Sequence, residues 1–120
     1  MSEDLLYTEV RSTSTGVKGR CITSALTNHW VIDLTPIHGG PGEETTPGEA
    51  FLGGVIGCGV LLVESFAGEM KLPLARVQGS IKAARTKADP SWLTSIELGF
   101  ELSGVDSKQA EALVGKFKAG

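Results

Sequence analysis

The chain has 120 residues, 41% of them hydrophobic, and a formal net charge of −3 at pH 7. That is one domain, spanning residues 1–120, with enough chain for a modest core. The interspersed charges exclude a basic nucleic-acid footprint and a basic amphipathic membrane helix.

The acidic start MSEDLLYTEV has no apolar core segment of the kind a secretory signal needs. Leu6 to Ser14 then alternates, with Leu6, Thr8 and Val10 on one side and Tyr7, Glu9 and Arg11 on the other, which predicts a strand. Gly16-Val17-Lys18-Gly19 reads as a hairpin turn, Arg20 to Leu26 as a second strand and Thr27-Asn28 as the next turn. A third strand runs from Trp30 to Leu34, so the chain opens as a β-meander. The stretch TPIHGGPGEET from Thr35 to Thr45 is a loop rich in Gly and Pro.

A long helix follows from Thr46 to Met70. Thr46 is its N-cap, Pro47 its first helical residue, and Glu49 completes a capping box. No residue from Ala50 to Val63 is charged, and that run is too short to span a bilayer, so it reads as a buried core helix. Gly53, Gly54, Gly57 and Gly59 crowd around Cys58 at its middle. Each glycine costs about 1 kcal/mol against Ala inside a helix. That cost implies close approach by a sheet, a second copy of the helix, or a ligand. The thiol at the centre is either inert filler or a reactive group.

Pro73 marks the end of this helix. Leu74 to Thr86 predicts a fourth strand, with Val77, Gly79, Ile81 and Ala83 on one face, and Trp92 to Leu102 a fifth. Asp106 caps a last helix with Gln109 at the box position, and Ala110, Leu113, Val114 and Phe117 form its apolar stripe. The order βββαββα argues an α+β domain with helices on an antiparallel five-stranded sheet. Such a sheet covers one side of the apolar helix, so an obligate homodimer is expected to cover the other. Trp30, Trp92, Phe51, Phe66, Phe100 and Phe117 are expected mostly in the core.

Two cysteines are too few for a disulfide scaffold, which makes a cytoplasmic location the expectation. His29 and His38 stand apart and no Cys/His spacing fits a zinc motif, so no metal or cofactor is expected.

The opening LYTEV strand, the GGPG loop at Gly39 to Gly42, Thr46-Pro47 opening the helix, Cys58 eleven residues beyond that proline, and the closing AEALVGKFK helix together resemble the OsmC/Ohr family. These are the osmotically inducible and organic hydroperoxide resistance proteins, thiol-dependent hydroperoxide reductases. The resemblance covers nearly the whole chain. It implies an OsmC-like fold, an intertwined homodimer with active sites between subunits, and Cys58 as the peroxidatic thiol. It further implies a peroxide substrate, a sulfenic acid on Cys58, a disulfide with a second cysteine, and reduction by a dithiol such as a lipoyl group.

The chain departs from the family pattern at three places. The family's resolving cysteine lies in a Cys-Pro pair just past the segment matching Leu113 to Lys118, where this sequence reaches Gly120. Either the pair follows in a longer chain or no resolving thiol stands there. The hydroperoxide-resistance branch carries a thiolate-steadying Arg in the first hairpin, where this chain has Val17 and Lys18; Lys18 and Arg20 are the candidate substitutes. The Glu that orients that Arg is replaced by Gly48, and Glu49 sits one residue on, about 100° around the helix.

Cys58 lies about three turns into its helix, beyond reach of the N-terminal dipole, so its thiolate needs an external cation. Cys21, next to the first hairpin, is the candidate for an unorthodox resolving thiol. His38 is placed to reach an interface pocket. Ser65 shares the face of Cys58, whereas Glu64 lies on the opposite side. The reading that follows is a thiol peroxidase acting through Cys58; the alternatives are a dimeric binding protein that kept the fold without turnover, and a one-cysteine redox sensor.

Overall fold

The computed structural model describes residues 4–91 and 93–119. Its contacts fall into two compact units, Met1–Ala50 and Phe51–Gly120.

The first unit is a three-stranded antiparallel sheet of β1 (Arg11–Ser14), β2 (Arg20–Ala25) and β3 (Asn28–Asp33) in the order β1-β2-β3. The first strand is shorter than its alternation predicts. Arg11 already faces Ser24 one residue from the end of β2, so the residues before Arg11 run past the partner strand. Leu6 is fully exposed there. The turn between β2 and β3 is Leu26-Thr27, one place earlier than predicted, with Ala25 facing Asn28. Leu26 has φ +55°, the positive φ that a two-residue hairpin loop requires.

After β3 the loop to the helix folds back on the hairpin. Leu34 N–H donates to Gly19 O at 2.8 Å, Gly42 N–H to Leu34 O at 3.1 Å, and Asp33 N–H to Thr45 O at 2.9 Å. Gly19 has φ +79°, and a Cβ there would collide with the Gly40 backbone, so only glycine fits. A single 3₁₀ turn, Pro36–His38, lies within the loop. Helix α1 (Pro47–Glu69) begins at the end of this unit. The predicted capping box is in place: Thr46 N–H donates to Glu49 Oε1 at 2.9 Å and Glu49 N–H to Thr46 Oγ1 at 3.2 Å.

The second unit holds the rest of α1, the hairpin of β4 (Arg76–Ala84) and β5 (Ser95–Ser103), and α2 (Ser107–Ala119). Helix α1 stops in a Schellman turn. Lys71 takes φ +55°, its N–H donates to Gly68 O at 3.2 Å, and Leu72 N–H donates to Ala67 O at 2.9 Å. The stop therefore comes before Pro73. Helix α2 opens on the second predicted capping box, Asp106 N–H to Gln109 Oε1 at 3.0 Å and Gln109 N–H to Asp106 Oδ1 at 2.8 Å. Strand β4 alternates as predicted, with Val77, Gly79, Ile81 and Ala83 on its inward face. Val63, Ala67 and Leu113 form the buried core, packed against Phe66, Val77, Phe100, Leu102 and Phe117. Phe100 and Phe117 meet edge to face at 5.3 Å.

Three expectations change. The strands form two antiparallel sheets, of three and two strands, in place of one of five, because alternation marks strands but does not say which edges pair. The fifth strand begins at Ser95 where Trp92 was expected, and Trp92 itself lies outside the described residues. Helix α1 is largely exposed where a buried helix was expected: Phe51 is 60% and Leu61 64% accessible, and the buried residues are Gly59, Val63 and Ala67. Its apolar character extends past the uncharged run, and an 18-residue window has mean hydropathy 1.9, so length and composition alone would suffice to cross a bilayer. One face is nonetheless used against protein, since a Cβ at Gly79 would lie 2.9 Å from Ile56.

Candidate functional site

Cys58 sits at mid-helix in the second unit with its side chain exposed. Among its neighbouring glycines only Gly59 has the tight packing partner that the sequence suggested: a Cβ there would lie 3.0 Å from Phe100 and 3.4 Å from Phe117. Among the described residues, added Cβ atoms at Gly53, Gly54 and Gly57 would meet nothing within 4 Å. Cys58 is thus flanked by bare helix backbone on an open face. Glu64 and Ser65 further along α1 are also exposed.

The first unit contains a different constellation, built around Arg20. Asp33, fully buried at the end of β3, receives Arg20 Nε on Oδ1 and Arg20 Nη2 on Oδ2, both at 2.8 Å. Asp33 Oδ2 also accepts the backbone N–H groups of Glu43 and Glu44, each at 3.1 Å. Arg20 Nη2 makes a further bond of 2.9 Å to Glu43 Oε1. This bidentate pair ties β2, β3 and the loop into one unit. The Arg20 hydrogen bonds hold the Asp33 carboxyl down at about 2, helped by the Glu43 and Glu44 amides. The same two carboxylates push the Arg20 guanidinium further up. Arg20 is consequently not the solvated hairpin cation that a turn-edge arginine suggests.

Sequence reasoning missed Asp33 and Glu43. The signal for Asp33 was available, because a two-residue turn at Leu26-Thr27 places Arg20 directly opposite Asp33. A turn set one residue later moves the partner by two positions.

Lys18 is exposed, and its chain lies against Gly39, where a Cβ would be 3.4 Å from Lys18 Cε. Glu49 is engaged in the helix cap, and the Thr46 backbone N–H lowers its carboxyl below the usual range. His38 is exposed and shares a 3.1 Å hydrogen bond with Thr35 Oγ1. Cys21 is half-buried, with Sγ 4.0 Å from Thr23 Oγ1. Arg20 and Cys21 line one cavity of about 270 Å³ with Gly19, Ile32, Leu34 and Pro47. Among the described residues no group of three or more His, Cys, Asp or Glu side chains could hold a metal ion.

No protein-family profile and no curated protein sequence matches the chain. Solved structures do. An OsmC-like protein from Mycoplasma pneumoniae superposes with a TM-score of 0.81 at 13% identity, covering 94% of this chain and 81% of that one. An organic hydroperoxide resistance protein OsmC from Legionella pneumophila, described as a predicted redox protein, gives 0.64 at 25% identity, with 98% and 85% covered. A putative organic hydroperoxide resistance protein from Vibrio cholerae, with captopril in one of its active sites, gives 0.60 at 18% identity, with 98% and 81% covered. The resemblance read from the order of sequence motifs is matched by these neighbours, and the chain has the fold of the OsmC and organic hydroperoxide resistance proteins.

Proposed function

We propose that this chain is a single OsmC-like domain acting as a cytoplasmic thiol peroxidase, with Cys58 reducing organic hydroperoxides or hydrogen peroxide. The observation that carries the reading is an exposed cysteine thiol amid bare glycine backbone on the central helix of an OsmC fold. The Cys58 thiolate attacks the terminal peroxide oxygen. The O–O bond breaks, the sulfur becomes a sulfenic acid, and the departing alkoxide takes up a proton and leaves as an alcohol. A dithiol reductant then condenses with the sulfenic acid, releases water, and frees the thiol by closing its own disulfide.

The working form is a homodimer. The exposed apolar face of α1, with Phe51, Leu61 and the open glycines, is too large to leave to water in a soluble monomer. The first unit gives the same reason from its own side: among its described residues Thr23 and Asp33 are the buried ones, while Ile22, Trp30 and Leu34 remain about two-fifths exposed.

A second reading, a dimeric binding or redox-sensing protein without turnover, is favoured by one specific observation. Arg20 is committed to Asp33 and Glu43, and Glu49 to the helix cap. Neither charge is left free to activate a thiol.

The deciding experiment is sulfenic-acid trapping with stoichiometric cumene hydroperoxide and hydrogen peroxide, read by intact mass, with Cys58→Ser as control. Rapid oxidation that depends on Cys58 supports the peroxidase. Oxidation no faster than that of a free thiol in solution rejects it in favour of the second reading.

A further inference from the structure

Strand register puts three polar side chains in one row across the first sheet. Arg11 of β1 faces Ser24 of β2, and Ser24 faces His29 of β3. The row lies on the sheet face that carries the Arg20–Asp33 pair, because Ser24 is four residues from Arg20 along β2 and His29 four from Asp33 along β3. All three residues belong to the first unit, whereas Cys58 belongs to the second.

The contact between Ser24 and His29 follows from the hairpin. Leu34 N–H bonds to Gly19 O, and every second pair from there toward the turn, ending at Ala25 and Asn28, is hydrogen-bonded in the same way. Ser24 and His29 fall between two such pairs, where facing side chains stand closest. Ser24 Oγ lies 2.7 Å from His29 Nδ1. With the ring proton on Nε2, Nδ1 accepts the hydroxyl hydrogen, which is the arrangement of a nucleophile and its base.

Beside Ser24 a depression of about 410 Å³ is lined by Glu9, Arg11, Ser24 and Leu26. Arg11 Nε donates to Glu9 Oε1 at 2.9 Å, and its two Nη atoms make no hydrogen bond among the described residues. That leaves them as donors for negative charge developing on a carbonyl oxygen next to Ser24. Glu9 balances the charge of Arg11, so the depression offers an anionic substrate no net attraction, and Leu26 is its apolar lining residue.

We propose that Ser24 is an esterase nucleophile, with His29 as its base and esters of short, uncharged acyl groups as its substrates. Ser24 Oγ attacks the ester carbonyl while His29 Nδ1 takes the hydroxyl proton. The bond from the acyl carbon to the leaving oxygen breaks, and His29 gives that oxygen the proton. Water then attacks the acyl-serine by the same route and releases the carboxylic acid. No oxidant or reductant is consumed, and Cys58 takes no part.

The test is hydrolysis of p-nitrophenyl acetate by Cys21→Ala/Cys58→Ala protein, in which no thiol competes for the ester. Peptide mass spectrometry after an acid quench locates the acetyl group. The expected result is acetylated Ser24 and a turnover that Ser24→Ala abolishes and His29→Gln slows about 100-fold. Labelling of the unsubstituted protein with an alkyl fluorophosphonate gives a measurement that does not depend on the folding of any variant. Its expected product is a phosphonyl group on Ser24. Acyl or phosphonyl groups confined to lysines, to Tyr7 or to other serines would overturn the proposal. So would a turnover that survives Ser24→Ala, or one that His29→Gln leaves unchanged. Neither readout involves a peroxide or Cys58, so these outcomes are independent of the peroxidase test.

Discussion

The open glycine face of α1 makes a prediction whose sign depends on what covers it. Gly53 and Gly57 are one helical turn apart and share a face, and among the described residues nothing lies within 4 Å of a Cβ built at either position. Consider Gly53→Leu combined with Gly57→Leu. In an isolated chain both side chains enter open space, and each exchange gains about 0.8 kcal/mol of helix propensity. The sum, about 1.6 kcal/mol, would raise the melting temperature by about 6 °C for a chain of this size. Against a second copy of the same helix the outcome reverses. Each overpacked site costs about 1–3 kcal/mol, so four introduced leucines cost about 4–12 kcal/mol per dimer against a propensity gain of about 3. Every 1.4 kcal/mol of net loss is about a tenfold weaker association. Sedimentation velocity at several concentrations, with thermal unfolding by circular dichroism, separates the cases. The expected result is a dimer for the unsubstituted chain and dissociation, with a lower melting temperature, for the double variant. A double variant of unchanged mass that melts about 6 °C higher would refute the assignment of this face to a homodimer.

Three further outcomes follow from local geometry. The native Asp33 carboxyl titrates at about 2 against an ordinary value of 3.8, so the unfolded chain binds more protons between those values. The ion pair's contribution should be fully present above about pH 4 and be lost as pH falls through about 2. Asp33→Asn should lower the melting temperature at pH 7 and flatten the acid limb of a melting-temperature profile; an unchanged acid limb would show that another carboxylate governs it. Leu113→Ala removes a fully buried side chain from the core with Val63 and Ala67, and should cost about 2–5 kcal/mol in urea unfolding; a loss under 1 kcal/mol would mean the site collapses freely. Thr46→Ala breaks the reciprocal cap with Glu49 and should cost about 1 kcal/mol, with no change in the hydrogen exchange of α2.

Where the fold was legible in the chain, the determinants were local. Both helix starts are written in four-residue capping boxes, and both appear as reciprocal hydrogen bonds. The inward face of β4 follows from period-two alternation, which burial reproduces residue by residue. Motif order along the chain was enough to point to the OsmC fold. Less legible were features that depend on a partner at a distance. The extent of β1 is set by where β2 ends, and the pairing of Arg20 with Asp33 by the placing of one turn.

The sequence by itself thus determined element type, helix caps, apolar faces and the position of the single thiol on α1, because each rests on residues within a few positions of one another. Only the tertiary structure decided that the strands divide into two sheets, that Arg20 is spent on Asp33 and Glu43, and that Gly53, Gly54 and Gly57 face open space while Gly59 meets Phe100. Those outcomes are set by contacts between segments far apart in the chain. An apolar or glycine-rich pattern says that a face must be covered or closely approached, and it carries no record of which surface does so.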